Sequence, residues 1–361
     1  MIRILERARP DILTLRPYEH AAWEPSLERM HANEMPWRAT EDATHAGLNR
    51  YPEPQPEELI QHLAELYGVE PRNVLAGRGS DEGIDLLVRA FCRAGRDSVV
   101  ICPPTFGMYK VSARIQGADV IEVPLLKERG YALDVERVLA AWNENVKIVF
   151  VCSPNNPTGN LMDRRAIETL CERLANKAVV VVDEAYVEFA KVESFAQSLA
   201  RFENLVVLRT LSKAYALAGA RCGALLAHED IVELLARVIT PYALPTQTIE
   251  SVLTFTNATH RAEADKRIAD ILEQRERLLP ELTRAPAIRR AWPSDSNFIL
   301  VDCVDADAVF KAAVGAGLII RDPRSNPLLA SCLRISVGTA EQNTRLLQAI
   351  GAIATLAGDA A

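Results

Sequence analysis

A lysine stands among small and hydroxyl-bearing residues in "LRTLSKAYALAGARCG", Leu208 to Gly223. An amine that follows an apolar run and sits beside Thr210 and Ser212 is placed where desolvation favours its neutral form, the form that attacks a carbonyl. That setting separates Lys213 from an ordinary solvent-facing lysine. Asp183 closes the apolar run "AVVVV" in "AVVVVDEAY". A carboxylate at the end of a buried strand needs a cation or a hydrogen-bond donor. It can hold a protonated cofactor ring nitrogen and so create an electron sink, or it can cap the next helix. Asn156, in "SPNNPTG", follows another apolar run. Its amide can orient a ring oxygen or simply serve a proline-rich and glycine-rich turn. Tyr186, three residues beyond Asp183, is within reach of the same ring face or oxygen.

The segment "GRGSDEG", Gly77 to Gly83, invites a dinucleotide-binding reading. The third glycine of that pattern falls at position 82, which is Glu82, and no acidic strand end follows at the required distance. A phosphate cup is the better use, formed by Ser80 and the amides of Gly79, Ser80, Asp81 and Glu82 where a helix opens. Arg221 can neutralise the same phosphate, with Thr210 and Ser212 as donors, or serve as a surface ion-pair residue. Phe106, in "CPPTFGMY", either fills core or stacks on a ring.

These groups need elements that bring them together. From about Val74, short apolar runs alternate with helical patterns: "DSVVICPP", "ADVIEVP", "VKIVFVCSP", "KAVVVVDEA", "LVVLRTLSK" and "CGALLAH". Runs apolar on both sides predict a mainly parallel sheet covered by helices, with ligands gathered beyond the carboxyl ends of its strands. After about Pro241 a long charged helix pattern, "NATHRAEADKRIADILEQRERLLPEL", precedes "NFILVD" and "CLRISVG", which predicts a smaller α+β unit. The expected division is 1–45 as an N-terminal arm and part of the small domain, 46–240 as the cofactor-binding domain, and 241–361 as the C-terminal small domain.

The chain has 361 residues, enough for two domains, and a formal net charge of -7, which disfavours generic nucleic-acid binding. Its seven cysteines are scattered without metal-ligand spacing, as expected of reduced thiols in the cytoplasm. The N-terminal "MIRILERARPDILTLRPYEH" lacks a long apolar core, so neither a signal peptide nor a membrane span is expected.

Taken together, "LRPYE", "HANEMPW", "LNRYPEPQP", "GRGSDEGIDLLVRAFC", "CPPTFGMYKVSA", "CSPNNPTG", "VVVDEAYVEF", "LRTLSKAYALAGARCG", "LIIRD" and "CLRISVGT" resemble the pyridoxal-phosphate aminotransferases of the aspartate-aminotransferase fold family. Within that family the resemblance is to the histidinol-phosphate aminotransferases, and it spans roughly residues 12 to 340. It implies fold type I: a large three-layer α/β domain with a mainly parallel seven-stranded sheet, plus a smaller α+β domain. It implies pyridoxal 5'-phosphate bonded to Lys213, with Asp183 at the ring nitrogen, Asn156 and Tyr186 at the ring oxygen, and Phe106 against the ring. Gly79, Ser80, Asp81, Thr210, Ser212 and Arg221 would surround the phosphate, Asp81 through its backbone amide. It further implies a homodimer in which Tyr51 reaches the partner's cofactor phosphate, and a substrate end holding Tyr18, Asn156, Arg321 and Arg334. No metal or nucleic acid is implied. The implied reaction exchanges an amino group between L-histidinol phosphate with 2-oxoglutarate and imidazole acetol phosphate with L-glutamate, in histidine biosynthesis. An aromatic amino-acid aminotransferase and a phospho-amino-acid decarboxylase are alternatives on the same fold. Two departures stand out: Phe106 replaces the family's usual tyrosine, and "NEMP" replaces "NENP".

Overall fold

The computed structural model describes residues 2–19 and 27–358. Seven strands form the main sheet: β1 (Val74–Gly77), β2 (Ser98–Ile101), β3 (Asp119–Glu122), β4 (Val146–Cys152), β5 (Val179–Asp183), β6 (Leu205–Thr210) and β7 (Gly223–Ala227). Their order is β1-β7-β6-β5-β4-β2-β3. β7 is antiparallel to both neighbours, and the other pairings are parallel. Every apolar run read as a strand is one.

The valine-rich runs follow from burial on both faces, since β4, β5 and β6 are buried at every position. Val180 and Val182 face a cluster with Leu63 and Leu170. Val179 and Val181 face the opposite cluster with Leu87, Tyr109 and Leu234. Helices Glu57–Tyr67 and Arg164–Arg173 thus cover one face, and Ser80–Phe91, Met108–Gln116 and Glu229–Ala236 the other. Of the two edge strands, β1 is buried at every position and β3 has no fully buried one.

The charged pattern after Pro241 is a long helix, Ala258–Arg284, whose first turn is capped by Asn257 Oδ1 accepting from His260 N at 3.1 Å. It leads into a three-stranded antiparallel sheet of β8 (Ile288–Ala291), β9 (Phe298–Cys303) and β10 (Cys332–Ser336), with β9 central. Leu278, Leu282, Val301, Val309, Ile335 and Ile350 form a separate core there. Ile4, Leu5 and Ala8 pack with Leu87 and Phe91 on the large sheet instead of joining this core. The apolar spacing of "ILERA" suits the helix-covered face, and Arg9 N donates to Ala90 O at 2.9 Å. The start of the chain therefore packs with the large unit. All seven cysteines are free and buried, and no helix among the described residues is long and apolar enough to cross a membrane.

Candidate active site

Sheet register aligns the chemistry. Cys152 pairs with Asp183, and Asp183 with Leu208, so the β4, β5 and β6 loops leave the sheet side by side. Further along, Thr210 pairs with Gly223, and Gly223 with Gly77. Only glycine fits at 223, because a Cβ there would lie 2.7 Å from Arg209 O and 2.8 Å from Gly79 Cα. This close approach brings the loop after β1 against the loop after β6.

One cavity at this edge is lined by Gly79, Ser80, Asp81, Phe106, Asn156, Asp183, Tyr186, Thr210, Ser212, Lys213 and Arg221, together with Cys152, Ala185 and Ala218. Lys213 stands open to the cavity, and its Nζ lies 5.6 Å from the centre of the Tyr186 ring. Surrounding protein lowers its pKa chiefly by desolvation, and the Arg334 charge acts in the same direction; Asp81 and Asp183 oppose them. Asp183 is 2% exposed. Its Oδ2 accepts from Tyr109 Oη at 2.7 Å and its Oδ1 from Ala185 N at 3.1 Å. Burial pushes its pKa up to about 6, against the pull of both hydrogen bonds.

The glycine-rich loop opens helix Ser80–Phe91 with Gly79 as its cap residue, at φ 90 and with no side-chain cap. The first amides of that helix therefore face the cavity mouth as anion donors. Arg221, at φ 56, turns its guanidinium to the same place: Nη1 lies 3.4 Å from Ser212 Oγ and Nη2 donates to Arg78 O at 3.3 Å. A Cβ on Gly79 would come within 3.1 Å of Arg221 Nη2, inside the cradle. Uncapped amides, a glycine that leaves the cradle clear and one guanidinium suit a phosphate. The carboxylate of Asp81 lies 3.6 Å from Arg221 Nη2. Glu82 explains the broken dinucleotide pattern: its carboxylate accepts from Arg78 N at 2.7 Å and from Arg78 Nε at 2.9 Å, fixing the loop's entry.

A second hollow adjoins the first and shares Phe106, Asn156, Tyr186 and Lys213, with Arg321 and Arg334 on its far wall. The two arginines pair through their backbones, Arg321 N to Arg334 O at 3.0 Å and Arg334 N to Arg321 O at 2.9 Å. Arg334 Nη1 donates to Asn156 Oδ1 at 2.5 Å, and Asn156 Nδ2 donates to Tyr186 Oη at 3.3 Å. The Arg334 guanidinium lies 4.9 Å from the Phe298 ring centre, and Tyr186 meets the same ring edge-on at 5.1 Å. Arg321 is exposed, whereas the Nε of Arg334 is buried with no partner among the described residues. Tyr18 and Tyr51 line neither hollow of this chain. Tyr18 is exposed, and Tyr51 stacks on Tyr242 with ring centres 4.5 Å apart.

Residues 29–350 match the family described as aminotransferase class I and II. A histidinol-phosphate aminotransferase of Xylella fastidiosa (strain Temecula1 / ATCC 700964) is 49% identical over 320 residues, covering 88% of this chain and 87% of that protein. The chain belongs to the histidinol-phosphate aminotransferase family. The Stenotrophomonas maltophilia (strain R551-3) member is 45% identical across 97% of both chains. The crystal structure of the Sinorhizobium meliloti histidinol-phosphate aminotransferase in complex with pyridoxal-5'-phosphate superposes with a TM-score of 0.75 at 25% identity, covering 85% of this chain and 83% of that one.

Three parts of this aminotransferase escaped the sequence reading. Tyr109 holds Asp183, yet "CPPTFGMY" marks it only as another aromatic. Asn155 is fully buried and ties the turn together, donating to Pro104 O at 2.8 Å and to Thr158 Oγ1 at 2.6 Å. The doubled asparagine in "SPNNPTG" was the available signal, since a second amide in a buried turn needs partners of its own. The small side chains of Ala185 and Ala218, which leave the cavity open, carry no sequence mark.

Proposed function

We propose that this aminotransferase exchanges an amino group between L-histidinol phosphate and 2-oxoglutarate in histidine biosynthesis, using pyridoxal 5'-phosphate. The carrying observation is that one amine, Lys213, stands between two separate cationic ends: the cup of Arg221 and helix amides, and the wall of Arg321 and Arg334. A phosphorylated cofactor and an anionic substrate need one such end each.

Bound in the first cavity, pyridoxal phosphate would supply an aldehyde and an electron-accepting ring. The helix amides of Ser80 and Asp81, the hydroxyls of Ser80, Thr210 and Ser212, and the Arg221 guanidinium would hold its phosphate. Asp183, ionised at neutral pH, would keep a proton on the ring nitrogen. Asn156 and Tyr186 would orient the ring oxygen, and Phe106 would cover a ring face. Lys213, with its neutral form favoured by desolvation, would take the proton from the substrate carbon that bears the amine. Histidinol phosphate has no carboxylate, so its phosphate would use the anion end that glutamate occupies in the other half-reaction, with Arg321 and Arg334 as donors.

Catalytic units would be composite in a homodimer, with Tyr51 acting in the partner's site. Residues 46–240 and 241–361 are the proposed cofactor and small domains, and the buried free thiols suit the cytoplasm. Steady-state turnover of histidinol phosphate beside phenylalanine and tyrosine, each with 2-oxoglutarate and read as glutamate formed, tests the proposal. Histidinol phosphate should be strongly preferred. A better aromatic substrate, or release of carbon dioxide from a phospho-amino acid, would replace the reading with one of its alternatives.

A further inference from the structure

Tyr109 lies deeper than the cavity wall and has no exposed surface. It sits in the first turn of helix Met108–Gln116, three residues beyond Phe106, and the two rings meet edge-on at 5.6 Å. Its other side stacks on Phe150 of β4, with ring centres 4.8 Å apart and planes within 5°. Packing therefore fixes the ring on both sides. Its hydroxyl is aimed at Asp183 Oδ2, 2.7 Å away.

We propose that Tyr109 is a positioning residue of the reaction: its hydroxyl holds Asp183 as an oriented carboxylate that would serve the cofactor ring nitrogen. This rests on the reading of Asp183 given above, while Tyr109 itself touches neither ring nor substrate. The same short segment thus carries Phe106 against the ring face and Tyr109 against the carboxylate that serves the ring nitrogen.

The physical need is plain from the surroundings of Asp183. The charged and titratable groups acting on it are Asp81 at the start of helix Ser80–Phe91, Tyr109, Cys152 at the end of β4, Tyr186 and Lys213 beyond β6. Desolvation and Asp81 favour its neutral form, whereas Tyr109, the Ala185 amide and Lys213 favour its charged form. Burial also raises the pKa of Tyr109 far above the ordinary value, which keeps the hydroxyl protonated and so able to donate to the ionised carboxylate. Among the described residues the carboxylate accepts two hydrogen bonds, and this side chain donates one of them. A buried carboxylate that loses a donor favours protonation, and a protonated Asp183 no longer supplies the negative charge that keeps a proton on the ring nitrogen.

The test is Tyr109→Phe in the full chain, which retains both aromatic contacts and removes one oxygen. Infrared titration, with the carboxyl band identified by its loss in Asp183→Asn, should show the Asp183 midpoint rising by about one to two pH units, the value of one hydrogen bond to a charged group. With pyridoxal phosphate bound, the acid limb of the kcat profile should move up by the same interval while KM for histidinol phosphate stays within about twofold. Incorporation of 3-fluorotyrosine at position 109, a stronger donor of nearly the same shape, should move the midpoint the opposite way, and it decides the matter if Tyr109→Phe folds poorly. An unmoved Asp183 midpoint in either variant overturns the proposal, as does a shifted midpoint with an unchanged kcat profile. A wild-type chain that takes up no pyridoxal phosphate would defeat the functional reading instead, with the infrared midpoint still deciding whether Tyr109 controls the carboxylate.

Discussion

Replacing Arg334 by lysine keeps a positive charge at the proposed substrate end and removes the planar fork. The fork has two uses in this structure: Nη1 donates to Asn156 Oδ1 at 2.5 Å, and the remainder of the guanidinium lines the hollow beside Lys213. A hydrogen bond to a charged group contributes about 1.5–3 kcal/mol, so losing the Asn156 bond and one bond to substrate removes about 3–6 kcal/mol. The retained ammonium recovers part of that, leaving a loss of about 2–4 kcal/mol, or about thirty- to a thousandfold in kcat/KM for histidinol phosphate. Arg321 is exposed, so water screens its contacts and Arg321→Ala should cost only about tenfold. The assay is initial rate against histidinol phosphate at saturating 2-oxoglutarate, with cofactor occupancy read by absorbance on the same samples. Occupancy should stay full in both variants, because the phosphate cup lies at the other end of the cavity. An Arg334→Lys enzyme within about threefold of wild type at full occupancy would refute the assignment, and so would a larger loss from Arg321→Ala.

Three further outcomes are expected. Borohydride reduction of the cofactor-loaded protein followed by peptide mass analysis should place the adduct on Lys213; an adduct on a different lysine would remove it from the role proposed. Asp183 should weaken the cofactor-free fold as pH rises, because its pKa is raised from 3.8 to about 6 and its stabilising protonated form is lost through that window. That shift corresponds to about 3 kcal/mol, so urea unfolding should find Asp183→Asn more stable than wild type by an amount of this order at pH 7 and nearly equal to it at about pH 4. Equal stability difference at both pH values would argue against a perturbed carboxylate. Mixing inactive Lys213→Ala and Tyr51→Ala subunits under exchange conditions should recover some activity through hybrid sites, and verified heterodimers without recovery would exclude a composite site.

Asp183, Asn156 and Lys213 were legible in the sequence because each lies at or shortly beyond the end of an apolar strand. Asp183, Asn156 and Lys213 could be placed at one edge because parallel strands bring their loops out together, and sheet register does so. Contacts made across chain distance left no such trace. Arg334 meets Asn156 from a different sheet, 178 residues away, and Tyr109 reaches Asp183 across 74. Neither partner can be chosen from residue type, since a tyrosine or arginine near an apolar segment has many ways to be satisfied. Phe106 shows the converse. It was visible as an aromatic at a strand exit, but only packing shows that its neighbour Tyr109 bears the hydroxyl directed at the site. Tyr51 was reached through resemblance alone, and within one chain its ring rests on Tyr242.

The antiparallel placement of β7 has a consequence for how such a chain can change. Because Thr210 pairs with Gly223, the loop between them is clamped at both ends by the sheet, and Leu211 N bonds to Cys222 O at 3.1 Å just inside the clamp. Lys213 and Arg221 both lie on this loop, so the span from the proposed reactive amine to the proposed phosphate-side cation depends on chain length, like marks on a ruler. Adding or deleting one residue there would shift one mark against the other. Arg321 and Arg334 are carried by a separate sheet and a separate stretch of chain. On the proposed reading, substitutions in the second sheet would alter the substrate end while leaving the length of the β6–β7 loop unchanged.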